Sequence, residues 1–247
     1  MTFQFPAFYH SHHLRNPEDL SFWMEIAQNF GDPILELGCG TGRVLVPLAE
    51  AGYRTFGLDI HPGMLFYLQT NLPQVLEHPP QVFVGDMSAF GLAMRFPLIL
   101  MPCNTYSTLS PGTRKKTLEN VTLHLARGGR FSFSIPNPKQ LLRMPEHGDS
   151  EVEDIFLHPE DGEPVQVSSV WERTSDNFIL RWHYDHLFPD GRIDRHTVVV
   201  SHWILPPETY IQEIDAAGMQ VNAIYGDFDS STFTHQSPNF ILTASLP

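Results

Sequence analysis

The sequence is poor in cysteine, in positive charge and in long apolar runs, and each shortage narrows what the chain can be. Cys39 and Cys103 are the two cysteines among 247 residues. Their spacing offers neither a disulfide framework nor a cysteine-based zinc site, so a reducing cytoplasm is the expected compartment. Lysine and arginine total 15 against 28 acidic residues, a formal net charge of -13. Such a field repels polyanions, which argues against nucleic acid and against anionic membrane surfaces as partners. It suits a small neutral or cationic molecule. No stretch reaches the roughly 20 apolar residues of a membrane span. Met1 to Pro6 lacks the basic start and apolar run of a signal peptide, and no internal repeat is visible.

What is present is enough apolar matter for a core. Hydrophobic residues make up 42% and aromatics 12%, which offsets the entropy of ordering one domain of this length, with room for an insertion. Asn16-Pro17-Glu18-Asp19 reads as a helix start, and Leu20, Trp23, Ile26, Ala27 and Phe30 follow at helical spacing. Strand and helix patterns then alternate. Pro33–Leu37, Tyr53–Asp59, Val82–Gly85, Phe96–Met101 and Gly129–Ile135 read as strands, and Arg43–Ala51, Met64–Leu72 and Arg114–Ala126 as helices. Continuous apolar strands separated by helices indicate a parallel sheet covered on both faces. After Pro136 the period becomes two: Val165–Thr174, Phe178–Phe188 and Ile193–Ile204 read as three antiparallel strands, the last two joined by Pro189-Asp190-Gly191. Pro207–Ala217 returns to helix, with Gln220–Tyr225 and Phe240–Ala244 closing the sheet. The expected organisation is a leader helix and cofactor-binding half over 1–136, an inserted antiparallel lid over 137–206, and a completing helix and two strands over 207–247.

The informative segment is Ile34-Leu35-Glu36-Leu37-Gly38-Cys39-Gly40-Thr41-Gly42, where a first strand should pass into a first helix. Glycines there allow a sharp turn and close backbone approach to a ligand. Their spacing, G-x-G-x-G, departs from the dinucleotide fingerprint because Arg43 stands where a third-position glycine or alanine belongs, which weakens a nicotinamide oxidoreductase reading. Asp59 ends the next strand, where a carboxylate can accept from two ribose hydroxyls. A purely structural strand-to-helix turn is the competing explanation for the glycines, and ordinary capping for the acids.

Taken with Gly85-Asp86-Met87 after the third strand and Phe96–Thr105 around the fourth, these residues resemble the class I S-adenosylmethionine-dependent methyltransferases. The resemblance implies an α/β, doubly wound, mostly parallel seven-stranded sheet of Rossmann-like type, with the last strand antiparallel. It also implies S-adenosylmethionine as cofactor. On that basis Gly38, Cys39, Gly40 and Gly42 would hold the methionine part with Glu36 orienting it. Asp59 would take the ribose hydroxyls, Ile60 and Met87 would border the adenine, and Asp86 would accept from its amino group. Pro102 and Asn104 would flank the sulfonium. Ile60 and Met87 serve equally well as core residues, and Cys39 reads as a small filler instead of a reactive thiol.

Methyl transfer from a sulfonium is an in-line displacement that chiefly requires alignment, exclusion of water and removal of any acceptor proton. The candidates for that last task are Tyr9, His10 and His13 in the leader and Asp227 in the loop after Tyr225, where Asp229 and His235 also lie. No required metal is expected, since adjacent His12 and His13 lack a supporting carboxylate in sequence. In the lid, Arg181, His183 and Asp185 alternate with Trp182 and Tyr184, so one face is polar and the other aromatic. Pro102-Cys103 with Glu119-Asn120-Val121 superficially resembles cytosine-C5 DNA methyltransferases, but the triplet falls within a helical pattern. Met101-Pro102-Cys103-Asn104-Thr105-Tyr106 also departs from the Asn/Asp-Pro-Pro-aromatic signature of enzymes acting on planar amino groups. The expected activity is transfer of a methyl group to a small-molecule N or O nucleophile by a monomer or homodimer. The alternative is a catalytically silent cofactor-binding scaffold or partner subunit.

Overall fold

Continuous apolar runs become the middle of a parallel sheet because only there are both faces of a strand covered. The computed structural model describes residues 4–14 and 18–247. Helix α1 spans Gln4–His13 and α2 Leu20–Phe30; β1 Ile34–Leu37, α3 Leu45–Glu50, β2 Thr55–Asp59, α4 Pro62–Thr70, β3 Gln81–Val84 and β4 Phe96–Met101 follow. Next come α5 Thr105–Thr108, α6 Pro111–His124, β5 Leu125–Pro136, α7 Pro138–Leu141, β6 Glu151–Leu157, β7 Pro164–Arg173, β8 Asn177–Leu187 and β9 Ile193–Trp203. Helix α8, Pro207–Ala216, and strands β10, Gln220–Tyr225, and β11, Asn239–Ser245, complete the chain.

The seven-stranded sheet has the order β10-β11-β5-β4-β1-β2-β3. β1 pairs in parallel with both β2 and β4, and β11 runs antiparallel to both neighbours. The strand order therefore reverses at β1, and a crevice opens there outside the strand carboxyl ends. All four residues of β1 and all five of β2 are buried. One core fills one face with Leu35, Leu37, Phe131, Phe133 and Tyr210; the other face is covered by Phe22, Trp23, Ile26 and Val44.

Local chemistry accounts for several boundaries. Helix α6 begins at Pro111, three residues before the expected Arg114, because the Ser110 hydroxyl accepts from the Thr113 amide and Pro111 has no amide proton to satisfy. In α2 the buried stripe is Phe22, Trp23, Ile26 and Ala27, whereas Leu20 and Phe30 are only half-buried. The Phe22 ring lies edge-on to Tyr225 and Phe228, a tertiary contact that local periodicity does not contain. Asn16 and Pro17, expected to start this helix, lie outside the described residues.

The second sheet is antiparallel, in the order β6-β7-β8-β9. It has four strands instead of the expected three: β6, with the pattern Glu151-Val152-Glu153-Asp154, is too acidic to read as a strand until it is paired with β7. Gly191, at φ 85°, closes the β8–β9 hairpin as its Pro-Asp-Gly turn requires. The polar face of β8 is occupied by cross-strand partners: Arg181 with Glu172 at 2.6 Å, and Arg195 with Asp185 at 2.6 Å. The aromatic face carries α1, whose Phe8 stacks on fully buried Tyr184 with centroids 5.9 Å apart. The leader is thus itself a helix, clamped between the second sheet and the main domain.

Candidate active site

The glycine bend is bound to the adjoining strand by its own amides. Gly38 N and Cys39 N both donate to the Leu58 carbonyl, at 2.7 and 3.1 Å, and Gly42 N donates to Cys39 O at 2.8 Å. Gly40 N donates to Asp59 Oδ2 at 2.8 Å, while His61 N donates to Asp59 Oδ1. Four amides of the bend are therefore engaged. A phosphate at such a turn needs free N–H donors, so the bend suits a cationic group better than a pyrophosphate. Gly38, Gly40 and Gly42 all have positive φ, which L side chains rarely adopt, and a Cβ on Gly40 would meet nothing within 4 Å.

Asp59 keeps an unused lone pair on each oxygen beside this bend. Gly85 N donates to the Asp59 carbonyl at 2.9 Å, which ties the β3 end and Asp86 to the same rim. Asp86 accepts from Ser88 N and is held below the usual carboxylate range by that bond. Met87 approaches Gly38, and Ile60 presents 57% of its surface to solvent. An isoleucine this open at a cleft rim is a ready apolar contact for a planar ligand. Cys39, by contrast, turns its side chain into the core: a Cβ on Gly57 would lie 2.7 Å from Cys39 Sγ, and burial pushes the thiol pKa well up.

Glu36 is 2% exposed, and its Oε2 has no hydrogen-bond partner. Burial raises its pKa strongly, partly opposed by nearby Arg43. Orphaned buried carboxyl oxygens are expensive. At the end of β4, Cys103 and Asn104 hold left-handed φ values of 59° and 62° in succession, a conformation that non-glycine residues adopt only when their surroundings enforce it. The strain turns the chain abruptly beneath the crevice. Cys103 Sγ lies 2.7 Å from Arg43 Nη2, and burial pushes its pKa up to about 11, so it is a protonated thiol and no nucleophile. Arg43 also forks onto Asp19, which accepts from the Trp23 indole as well.

Beside Arg43 and Asn104, and lined by none of residues 38–42, Asp59, Ile60, Asp86 or Met87, lies a cavity of about 490 Å³. Its lining includes Tyr9, His13, Arg43, Asn104, Trp182 and His202. Tyr9 and His13 stack with centroids 4.0 Å apart, and His13 Nδ1 lies 3.0 Å from the Tyr9 carbonyl. Burial lowers the His13 pKa to about 4, leaving it neutral near pH 7, and burial raises that of Tyr9. His10 instead reaches Thr41 in the glycine bend at 3.0 Å and is not among the lining residues, so it fastens α1 over the bend. Asp227 also stands back from the cavity: it accepts from Asn239 Nδ2 at 3.0 Å and from Phe228 N, and it is those two neighbours that line the space.

Several lining residues carry no signal in the sequence, Ser134, Glu153 and His202 among them. Ser134 on β5 is 1% exposed with its hydroxyl unpartnered. His202, at the end of β9, is 7% exposed and lies 2.8 Å from Ser107 Oγ, and burial lowers its pKa to about 4. Neither belongs to a local motif. Each reaches the cavity through sheet register alone, and no signal in the sequence distinguishes them from other serines and histidines.

Residues 34–129 match the family model described as a methyltransferase domain. That segment carries a methyltransferase domain, and the chain as a whole has the fold of S-adenosylmethionine-dependent methyltransferases. It is similar to a putative methyltransferase, YqeM, of Bacillus subtilis (strain 168), at 23% identity over 228 residues, covering 90% of this chain and 87% of that protein. Among solved structures, an S-adenosylmethionine-dependent methyltransferase from Clostridium acetobutylicum ATCC 824 superposes with a TM-score of 0.77 at 17% identity, covering 93% of this chain and 91% of that one. CalS10, an amino pentose methyltransferase from Micromonospora echinaspora, gives 0.73 at 20% identity, covering 97% and 96%. The methyltransferase matches these chains across both sheets, so the second sheet belongs to the shared architecture. No helix among the described residues is long and apolar enough to cross a membrane.

Proposed function

We propose that this methyltransferase acts on a small-molecule amine, or a hydroxyl presented in the same way, with His202 accepting the proton that methylation releases. The observation that carries the proposal is the pairing of a neutral, tautomer-locked imidazole with a rim containing the carboxylates of Glu18 and Glu153 in one cavity. The Ser107 hydroxyl donates to the Asn104 carbonyl at 2.8 Å, so it accepts from His202 Nδ1 and leaves Nε2 with the free lone pair. The His12 side chain beside Glu153 lowers its pKa and keeps that carboxylate ionised, and Trp182 Nε1 also donates to it at 3.0 Å. An acidic rim attracts an amine, and the imidazole offers its lone pair to the N–H of the nitrogen that attacks as the free amine. The description of CalS10 as an amino pentose methyltransferase agrees with this acceptor class.

When bound, S-adenosylmethionine supplies a methyl group on a sulfonium, already activated for displacement. Glu36 and Arg43 present a carboxylate and a guanidinium matched to the ammonium and carboxylate of the methionine part, with carbonyls of the Gly38–Gly42 bend alongside. Asp59 takes the ribose hydroxyls, Ile60, Asp86 and Met87 border the adenine, and Pro102 and Asn104 lie at the transfer end. Helix α1 borders the cavity, with Tyr9 and His13 lining the same space as His202. Asp227 positions Asn239. The organisation that follows is a cofactor half over 1–136, a lid over 137–206 that carries the base, and a completing segment over 207–247. The acidic surface makes nucleic acid a poor competitor for this site.

The deciding experiment supplies methyl-labelled cofactor to the purified protein with a panel of amino sugars, other small amines and hydroxyl compounds, and follows methylated product by mass spectrometry. Turnover of a small amine is expected. Labelling confined to a capped RNA oligonucleotide, or cofactor binding with no turnover of any acceptor, would refute the reading; the second outcome favours a silent scaffold.

A further inference from the structure

The second sheet carries a histidine-carboxylate cluster that the methyl-transfer site does not use. His158 follows β6, Asp161 lies in the β6–β7 turn, and His186 is near the end of β8. Each offers one ligand atom, and these atoms all lie within 4.8 Å of one another. His158 Nδ1 is 3.0 Å from Asp161 Oδ1, and His186 Nε2 is 3.2 Å from Asp161 Oδ2. Both histidines are almost wholly buried, at 3% and 2%, while the Asp161 side chain is 42% exposed.

Three features distinguish this arrangement from ordinary hydrogen bonding. The Asp161 amide donates to His158 Nδ1 at 3.4 Å, which puts a lone pair on the same nitrogen that faces the carboxylate. A lone pair and an anion at that distance repel unless a cation lies between them. Asp161 Oδ1 lies 3.0 Å from His158 Nδ1 and 3.3 Å from His186 Nε2, close to the tetrahedral edge of about 3.3 Å for metal–ligand bonds of about 2.0 Å. The rings are held in place beforehand, stacked on each other at 4.5 Å and packed by Phe8 and Phe188. Asp161 leaves one side open for an ion to enter.

We propose that His158 Nδ1, His186 Nε2 and an Asp161 carboxylate oxygen bind a divalent transition metal, with Zn²⁺ the ion best matched to two imidazoles and one carboxylate and water completing the shell. The metal is structural: it joins the β6–β7 turn to β8 and steadies the surface on which Phe8 seats α1. None of the three ligands lines the cavity, so the proposal stands independently of the acceptor. The sequence reading considered His12 and His13 for a metal and expected none to be required; these ligands come together only through strand pairing.

The test uses untagged full-length protein, stripped with a chelator and titrated with zinc chloride by calorimetry, with cobalt chloride absorption reporting the coordination number. One equivalent bound tetrahedrally is expected. Asp161→Ala and His186→Ala should each weaken binding at least ten-fold, whereas His235→Ala, at an exposed histidine, should leave it unchanged. Asp161 is half in solvent, so its variant keeps the test valid if His186→Ala does not fold. No uptake by the stripped wild type, or equal uptake by wild type and Asp161→Ala, would overturn the proposal.

Discussion

His202 Nδ1 and Ser107 Oγ, 2.8 Å apart, join the end of the second sheet to the helix that follows β4. This one bond crosses between the two sheets at the cavity and also sets which imidazole nitrogen is free. If His202 accepts the acceptor's proton, His202→Asn should lower kcat by roughly 10²–10⁴-fold while leaving the cofactor dissociation constant unchanged. Ser107→Ala should reproduce part of that loss, because the tautomer is then no longer held. Single-turnover kinetics beside a cofactor titration separate the two effects, and equal losses in both would assign His202 to binding.

The same histidine makes stability depend on pH. Its folded pKa, lowered by burial to about 4, lies below the value near 6.5 of an unfolded chain, so between these limits the unfolded state binds more protons. Stability therefore rises with pH across that window and falls as pH drops through it. At pH 5 the loss relative to neutral pH should be about 2 kcal/mol from this residue. Urea unfolding at pH 7 and pH 5 should show the difference narrowing in His202→Asn.

Cofactor affinity should depend on Glu36 and Asp59 in distinguishable ways. Asp59→Ala removes the acceptor of Gly40 N and His61 N as well as the proposed ribose contacts, so affinity should fall by ~1–3 kcal/mol with some loosening of the bend. Glu36→Gln should weaken S-adenosylmethionine, which carries the ammonium, far more than adenosine. Calorimetry with both ligands checks this, and a parallel loss for adenosine would remove Glu36 from the ammonium.

Arg114 and Glu213 join α6 to α8 through three N–H to carboxylate bonds of 2.9–3.0 Å, with the Tyr106 hydroxyl donating to the same carboxylate at 2.9 Å. Arg114 is fully buried. Glu213→Ala strands its charge and should reduce unfolding free energy by about 3–5 kcal/mol, whereas the double change Arg114→Met with Glu213→Leu should lose much less. Denaturant unfolding of the three proteins gives the comparison directly.

Helix α1 is held by Phe8 on Tyr184 and by His10 on Thr41. Phe8→Ala should release the helix without unfolding the main domain, raising the cofactor off-rate on the order of ten-fold, equivalent to ~1.4 kcal/mol. Hydrogen exchange should show residues 4–13 losing protection while β1 and β4 keep theirs.

The Rossmann-like sheet and its glycine bend were legible because their causes are local. Four-residue and six-residue apolar strands, G-x-G-x-G spacing and strand-end acids are written consecutively along the chain, and parallel pairing brings Asp59 to within 2.8 Å of Gly40. Even Ile60 reads as a surface residue only with a ligand to explain it. Acceptor-side chemistry had no such signature. His202, Ser107, Ser134 and the His158–Asp161–His186 cluster are assembled by register between segments far apart in sequence, and β6 becomes a strand only once β7 neutralises its backbone polarity. Composition, periodicity and turn residues thus determined the fold class and where the glycine bend lies. Tertiary packing alone decided which histidines lost water and so became neutral, because desolvation depends on what surrounds a side chain and not on its neighbours in the chain.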